Sequence, residues 1–244
     1  MTATDAIDAT LQRMFGRDEA VQYWFLGPTG ETRTLCRGLA NRSPPRRATT
    51  RSTFHCFSTT KPITALALLQ LEAEGRVDLD APIATLLPEV PYRNGATVRQ
   101  LLSHQAGLPN PMPLSWVHRD EDHADFDGRA FVDRVLREHP SCDPPGRRAR
   151  YSNIGYLLLG RLVEQLAARP YVDVVQGRIL DVVRDDDPDA YLGFAIPEGR
   201  HATGYTRRWS ALGLMIALMP DPPRLRSSER GWIRYRPFHL DGAA

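Results

Sequence analysis

The chain has 244 residues, 42% of them apolar and 25% charged, with a formal net charge of +2. That is the composition of a globular chain long enough to bury a real core, and the charge is too evenly spread for a nucleic-acid footprint. Three cysteines, odd in number and far apart, exclude a disulfide framework. No heptads, zinc-type Cys/His spacing or phosphate-cradling glycine loop occur.

The first residues are polar and amphipathic rather than a signal peptide, and 6–14 has helical spacing. VQYWFL at Val21–Leu26 and the stretch 32–39, separated by the turn-rich GPTGE, read as a β-hairpin. NRSPPRRATTRS then reads as an arginine- and proline-rich loop. From Ser58 the pattern turns helical: Pro62 suits a first turn, Ile63, Ala67, Leu68 and Leu71 share one face, and Gly75 suits the stop. A helix is expected around 98–103, followed by a proline-rich loop, and WVHRDEDHADFDG reads as acidic and irregular. Helical patterns return at 129–138 and, most strongly, in NIGYLLLGRLVEQLAA. After Gly193 the signal weakens to a strand or two. The apolar run ALGLMIALM that follows is too short to span a bilayer.

One cation stands out. Lys61 is the only lysine among the 31 Lys and Arg residues. Arginine serves as well for surface charge but cannot give up its proton, whereas a partly desolvated lysine can. Ser58 lies three residues earlier, on the same helical face. A serine hydroxyl needs a base to become a nucleophile, and a helix start adds positive potential where an oxyanion would form. The competing reading of Ser58 is an ordinary helix N-cap. Tyr151-Ser152-Asn153, before the strongest helix, offers a phenol that can shuttle protons and an amide that can hold a carbonyl. Ser152 or Asn153 as a routine cap is the alternative there.

FHCFSTTKPITALALLQLEAEGRVDLDAPI, then VRQLLSHQAGLP, then PPGRRARYSNIGYLLLGRLVEQL, in that order, resemble the serine β-lactamase and penicillin-binding-protein superfamily. The resemblance covers about residues 20–210 and is closest to the class C-like branch with its related esterases. It implies an α+β (α/β sandwich-type) fold: an antiparallel sheet flanked by helices, beside a helical region. By resemblance Ser58 is the acylated nucleophile, Lys61 the base beside it and Tyr151 the proton shuttle, while Asn153 orients the substrate carbonyl. The family also has a late Lys-Thr-Gly or His-x-Gly strand. His201-Ala202-Thr203-Gly204 imitates it, but the favoured reading is that the chain stops at Ala244 before that motif and before the C-terminal strands.

The expected organisation is one β-lactamase-like domain over 1–244, incomplete at its end. It comprises an N-terminal helix and hairpin (1–57), a mainly helical region with the motifs (58–192), and the start of a return to the sheet (193–244). The expected function is hydrolysis of an ester or amide through an acyl-serine, esterase-like, on a small-molecule substrate in the cytoplasm. No cofactor or metal, nucleic acid or membrane is called for. The alternative is a truncated, non-catalytic remnant or partner-binding fragment, self-associating through an open sheet edge with Trp24, Leu26 and Leu35 exposed. His118 and His123 read as a solvated loop rather than metal ligands, His104 as support for a turn, and Cys56 as a packing thiol.

Overall fold

Thr60–Ala73 repeats apolar side chains at helical spacing, and the helix it forms (α2) buries Thr64, Ala67, Leu68 and Leu71 along one stripe. It ends where Gly75 takes φ +71°, a left-handed turn that costs glycine little. The computed structural model describes residues 3–14, 19–27, 29–111, 116–184, 191–211, 214, 226–229, 232–235 and 238–240.

The chain divides into two compact units. The second comprises Cys56–Pro188, Leu192–Phe194 and Phe238–Ala244. Its helices are α2, α3 (Ile83–Leu86), α4 (Val98–Leu102), α5 (Gly128–Glu138), α6 (Asn153–Ala167), α7 (Tyr171–Val175) and α8 (Asp181–Arg184). A capping box starts α4: the Thr97 side chain accepts from Gln100 N–H, and the Gln100 side chain accepts from Thr97 N–H. Asp127 caps α5 in the same sense through Ala130 N–H. The core is one apolar cluster running from Ala67 to Leu180, with Leu68, Leu101, Leu158 and Leu162 fully buried. A buried hydroxyl pair, Thr64 with Tyr171 at 2.6 Å, joins α2 to α7.

The stretch Tyr171–Arg184 falls in the region expected to be mainly helical, but no individual element was expected there. Its valines, at 172, 174, 175, 182 and 183, favour strands, but Tyr171, Val174, Val175, Ile179 and Leu180 are buried in the core. Tertiary burial overrides the weaker local preference, and a π turn at Gln176–Leu180 links α7 to α8. The acidic segment expected to be irregular is also ordered. It holds strand β5 (Val117–Arg119) and a 3-10 helix at Asp120–Asp125. Its partner, β9 (Phe238–Leu240), lies too far along the chain for local pattern to announce.

The first unit comprises Met1–His55, Asp189–Tyr191 and Ala195–Pro237. It contains α1 (Ala3–Met14) and the expected hairpin, β1 (Val21–Leu26) against β2 (Thr32–Arg37). The first part of the arginine- and proline-rich loop is in fact in a second strand pair, β3 (Leu39–Arg42) with β4 (Pro45–Arg47). Proline is tolerated at the first residue of a strand, so Pro45 opens β4 instead of breaking it. Three later strands, β6 (Tyr205–Arg207), β7 (Arg226–Glu229) and β8 (Trp232–Tyr235), form an antiparallel sheet ordered β6-β8-β7. The class is α+β, and among the described residues every strand pairs antiparallel. Among the described residues the strands fall into four small sheets rather than one continuous sheet.

Trp24 and Leu26 are exposed as expected, whereas Leu35 is half-buried. Cys36, Cys56 and Cys142 are free thiols. Among the described residues no helix is long and apolar enough to cross a membrane. The apolar run at 211–219 lies, apart from Ala211 and Leu214, outside the described residues.

Candidate active site

The chain enters α2 through a 3-10 turn, Phe57–Thr59, rather than starting the α-helix at Ser58. Phe57 has φ +44°, a left-handed conformation that is uncommon for a bulky residue and collects at functional sites. The turn is closed by Thr59 N–H on the Cys56 carbonyl, at 2.9 Å, and by the Thr60 hydroxyl on the Phe57 carbonyl, at 2.8 Å. Ser58 is therefore exposed on a tight, well-bonded corner, and Lys61 is the second residue of α2.

Neither the 3-10 turn nor α2 has a side-chain N-cap, so the ordinary capping reading of Ser58 does not hold. Its hydroxyl is engaged elsewhere. Ser58 Oγ lies 2.6 Å from Tyr151 Oη and accepts from Lys61 Nζ at 3.2 Å. Lys61 Nζ also donates to Asn153 Oδ1 at 3.0 Å. The ammonium sits 5.0 Å from the centre of the Tyr151 ring and 5.4 Å from that of Tyr156, within cation–π range. All four residues picked out from the sequence meet in one cluster.

The phenol of Tyr151 feels opposing influences. Burial raises its pKa, but the hydrogen bonds from Lys61 and Ser58 and the Lys61 charge outweigh it, holding the phenol below its ordinary value. Tyr156, whose hydroxyl donates to the Leu102 carbonyl at 3.0 Å, goes the other way: burial and then the Tyr151 charge push it up. Two tyrosines five residues apart are thus driven apart in acidity. The one beside Ser58 is the more acidic.

The second motif is held by the loop that follows α4. Ser152 is the N-cap of α6, accepting from Gly155 N–H at 3.1 Å and donating to the Pro109 carbonyl at 2.8 Å. Capping is thus its role. Asn153 N–H is held by Asn110 Oδ1 at 3.1 Å. The loop packs so closely that a Cβ on Gly107 (φ +72°) would lie 2.3 Å from the Asp143 carbonyl oxygen. His104 and Asn110 belong to this scaffold, and the sequence reading gave neither a role at the site. The only available signal was the composition of HQAGLPN, polar residues and turn formers after a short helix.

The remaining expectations divide. Cys56 is exposed, not a packing thiol, because the corner that presents Ser58 carries it outward. His118 is half-buried, its ring stacked 4.1 Å from Phe126 and its Nε2 2.8 Å from His123 Nδ1, while residues 120–125 are all exposed, so the loop is ordered and solvated. No group of three or more metal-ligating side chains occurs among the described residues. His201 pairs through its backbone with Thr53 in the first unit. Its Nδ1 is 3.2 Å from Thr53 Oγ1, and its ring is edge-on to His55 at 4.4 Å.

Comparison with known proteins shows what the chain is similar to. A family model described as beta-lactamase matches residues 15–230. Penicillin-binding protein 4* of Bacillus subtilis (strain 168) is 33% identical over 171 residues, which is 69% of this chain and 38% of that protein. Esterase EstB of Burkholderia gladioli is 32% identical over 157 residues, 59% of this chain and 40% of the esterase. Among solved structures, the D-amino acid amidase of Ochrobactrum anthropi SV3 in complex with D-phenylalanine matches with a TM-score of 0.76 at 25% identity. That match covers 98% of this chain and 65% of the amidase. The chain spans less than half the length of these two curated relatives. With a family model matching residues 15–230, the chain belongs to the beta-lactamase family.

Proposed function

We propose that this protein is a serine hydrolase that cleaves a small ester or amide through an acyl group carried on Ser58, with esters as the favoured substrates. The observation that carries the reading is that Tyr151 Oη and Lys61 Nζ both lie within hydrogen-bond reach of Ser58 Oγ. Ser58 Oγ attacks the substrate carbonyl carbon while its proton passes to the Tyr151–Lys61 pair. Tyr151 is the shorter contact and the phenol held at lower pKa. The bond from the carbonyl carbon to the leaving oxygen or nitrogen then breaks, and the leaving group departs with that proton. A water molecule attacks the acyl-serine, gives one proton to the same pair, and the carboxylic acid leaves as Ser58 regains its hydrogen.

Asn153, tethered through Lys61, orients the substrate carbonyl. The start of α2 supplies positive potential where the oxyanion develops. A relative named as an esterase, at 32% identity, supports the preference for esters. The reaction as written uses only side chains of this chain and water.

The test is intact-mass analysis after exposure to a fluorophosphonate and, separately, to a penicillin, followed by peptide mapping. A single adduct on Ser58 is the expected result. An adduct on Ser103 or Ser152 with Ser58 unmodified would refute the assignment. Release of the adduct over time separates turnover from simple trapping.

A further inference from the structure

A single residue holds the chain on both sides of Tyr151. The backbone carbonyl of His104 accepts Arg150 N–H at 2.7 Å, and its ring Nδ1 accepts Ser152 N–H at 3.3 Å. The same ring lies 4.6 Å from the Tyr151 ring, tilted by 40°, and 5.2 Å from that of Tyr156. His104 does this from a left-handed backbone conformation, φ +58°, which histidine enters more readily than most non-glycine residues.

We propose that His104 is a positioning residue for Tyr151: it suspends the peptide groups on either side of the tyrosine and backs its ring, so that the phenol meets Ser58 Oγ. The proposal rests on the reading of Ser58 as nucleophile and adds a residue which that reading does not need. Support for a turn would explain the carbonyl bond alone. It would not call for a ring acceptor under Ser152 N–H, nor for a ring against the phenol.

The chemistry of the clamp is specific. To accept an N–H, Nδ1 must be the unprotonated nitrogen, so the ring must be neutral with its proton on Nε2. Burial, and then the Lys61 charge, lower the pKa of His104 and keep the ring neutral. The titratable groups facing it are Lys61, Tyr151 and Tyr156. Protonation would turn Nδ1 into a donor and break the bond to Ser152.

Two variants separate positioning from mere folding. His104→Phe keeps a ring but loses the acceptor. His104→Asn loses the ring but tolerates the left-handed backbone and carries Oδ1 on Cγ, where histidine carries Nδ1. In folded protein, His104→Phe should slow fluorophosphonate labelling of Ser58 by ~10²-fold, the low end for disabling general base catalysis. Its alkaline inflection in the labelling pH profile should also move upward. His104→Asn should recover ~10-fold of that loss, the scale of one hydrogen bond. Labelling within a few-fold of the unaltered protein, with the inflection unmoved, in a folded phenylalanine variant would overturn the proposal, as would an asparagine variant no faster than it.

Should the phenylalanine variant not fold, nitrogen-15 NMR of histidine-labelled unaltered protein decides. His104 with Nδ1 unprotonated near neutral pH supports the clamp, and a protonated Nδ1 overturns it. If the unaltered protein takes no label on Ser58, the nucleophile assignment falls on its own, and the tautomer measurement still decides the clamp.

Discussion

Cys56–Pro188 is built around a continuous apolar core from Ala67 to Leu180. In the strand-rich unit, the buried apolar side chains among the described residues are Ala40, Ala48 and Ile233. There the contacts include backbone pairings, side-chain hydrogen bonds such as Tyr205 Oη to Asn41 Oδ1 at 2.6 Å, and cation–aromatic stacking, with the Arg42 guanidinium 3.9 Å from the centre of the Trp232 ring and that of Arg207 at 5.3 Å. The helical unit holds every residue of the Ser58 cluster and the loop that braces it. Side-chain burial fixes helices densely enough to hold a hydroxyl, an ammonium and a phenol within hydrogen-bond reach. Small two- and three-stranded sheets with exposed Trp24 and Leu26 lack that packing around them.

This contrast can be broken at several points. The largest effect belongs to Ser58→Ala, which should abolish fluorophosphonate labelling altogether while far-UV circular dichroism stays unchanged. Persistent labelling would place the nucleophile elsewhere. Next comes the core that supports the site. Leu158 is fully buried in α6, and Leu158→Ala should cost ~2–5 kcal/mol in denaturant unfolding, the usual range for a truncated core leucine. A loss under ~1 kcal/mol would mean that this core is far looser than its burial implies.

Lys61→Arg follows. It keeps the charge but brings a guanidinium that does not hand over a proton, so labelling of Ser58 should fall by ~10²-fold or more, about 2.7 kcal/mol in the barrier. The pH profile sharpens this result. In the proposed reaction the anionic phenol takes the Ser58 proton, so labelling should rise with pH through an inflection below 10.0, the ordinary tyrosine value. Burial alone would raise that inflection, and Lys61, together with the Ser58 hydrogen bond, lowers it. Lys61→Gln should therefore shift it upward, and an unmoved inflection would remove Tyr151 from the proton path.

The smallest effect is expected in the other unit. Leu26 is 70% exposed at the end of β1, and Leu26→Thr should change unfolding free energy by no more than ~0.5 kcal/mol. A drop comparable to that of Leu158→Ala would erase the distinction between the units.

Much of this molecule is written locally. The spacing of Ala67, Leu68 and Leu71 and the apolar density of NIGYLLLGRLVEQLAA specify α2 and α6, because helix periodicity is read within a few residues. VQYWFL and TRTLCR around a glycine-rich turn specify β1 and β2 for the same reason. Ser58 and Lys61 are three residues apart at a helical start, so their proximity was also legible. The solitary lysine marked which turn to watch.

Other features depend on residues distant in sequence. Tyr151 Oη reaches Ser58 Oγ across 93 residues, and Lys61 reaches Asn153 across 92, distances that only the packing of α2 against α6 closes. The valine-rich segment around α7 becomes helical because burial in the core outweighs β propensity. β5 forms because β9 returns to it from far along the chain. His104 in HQAGLPN looked like turn chemistry and nothing more. Its place at the site comes from Arg150 and Ser152, more than forty positions away, whose N–H groups needed partners once α6 had docked, and tertiary structure alone could provide them.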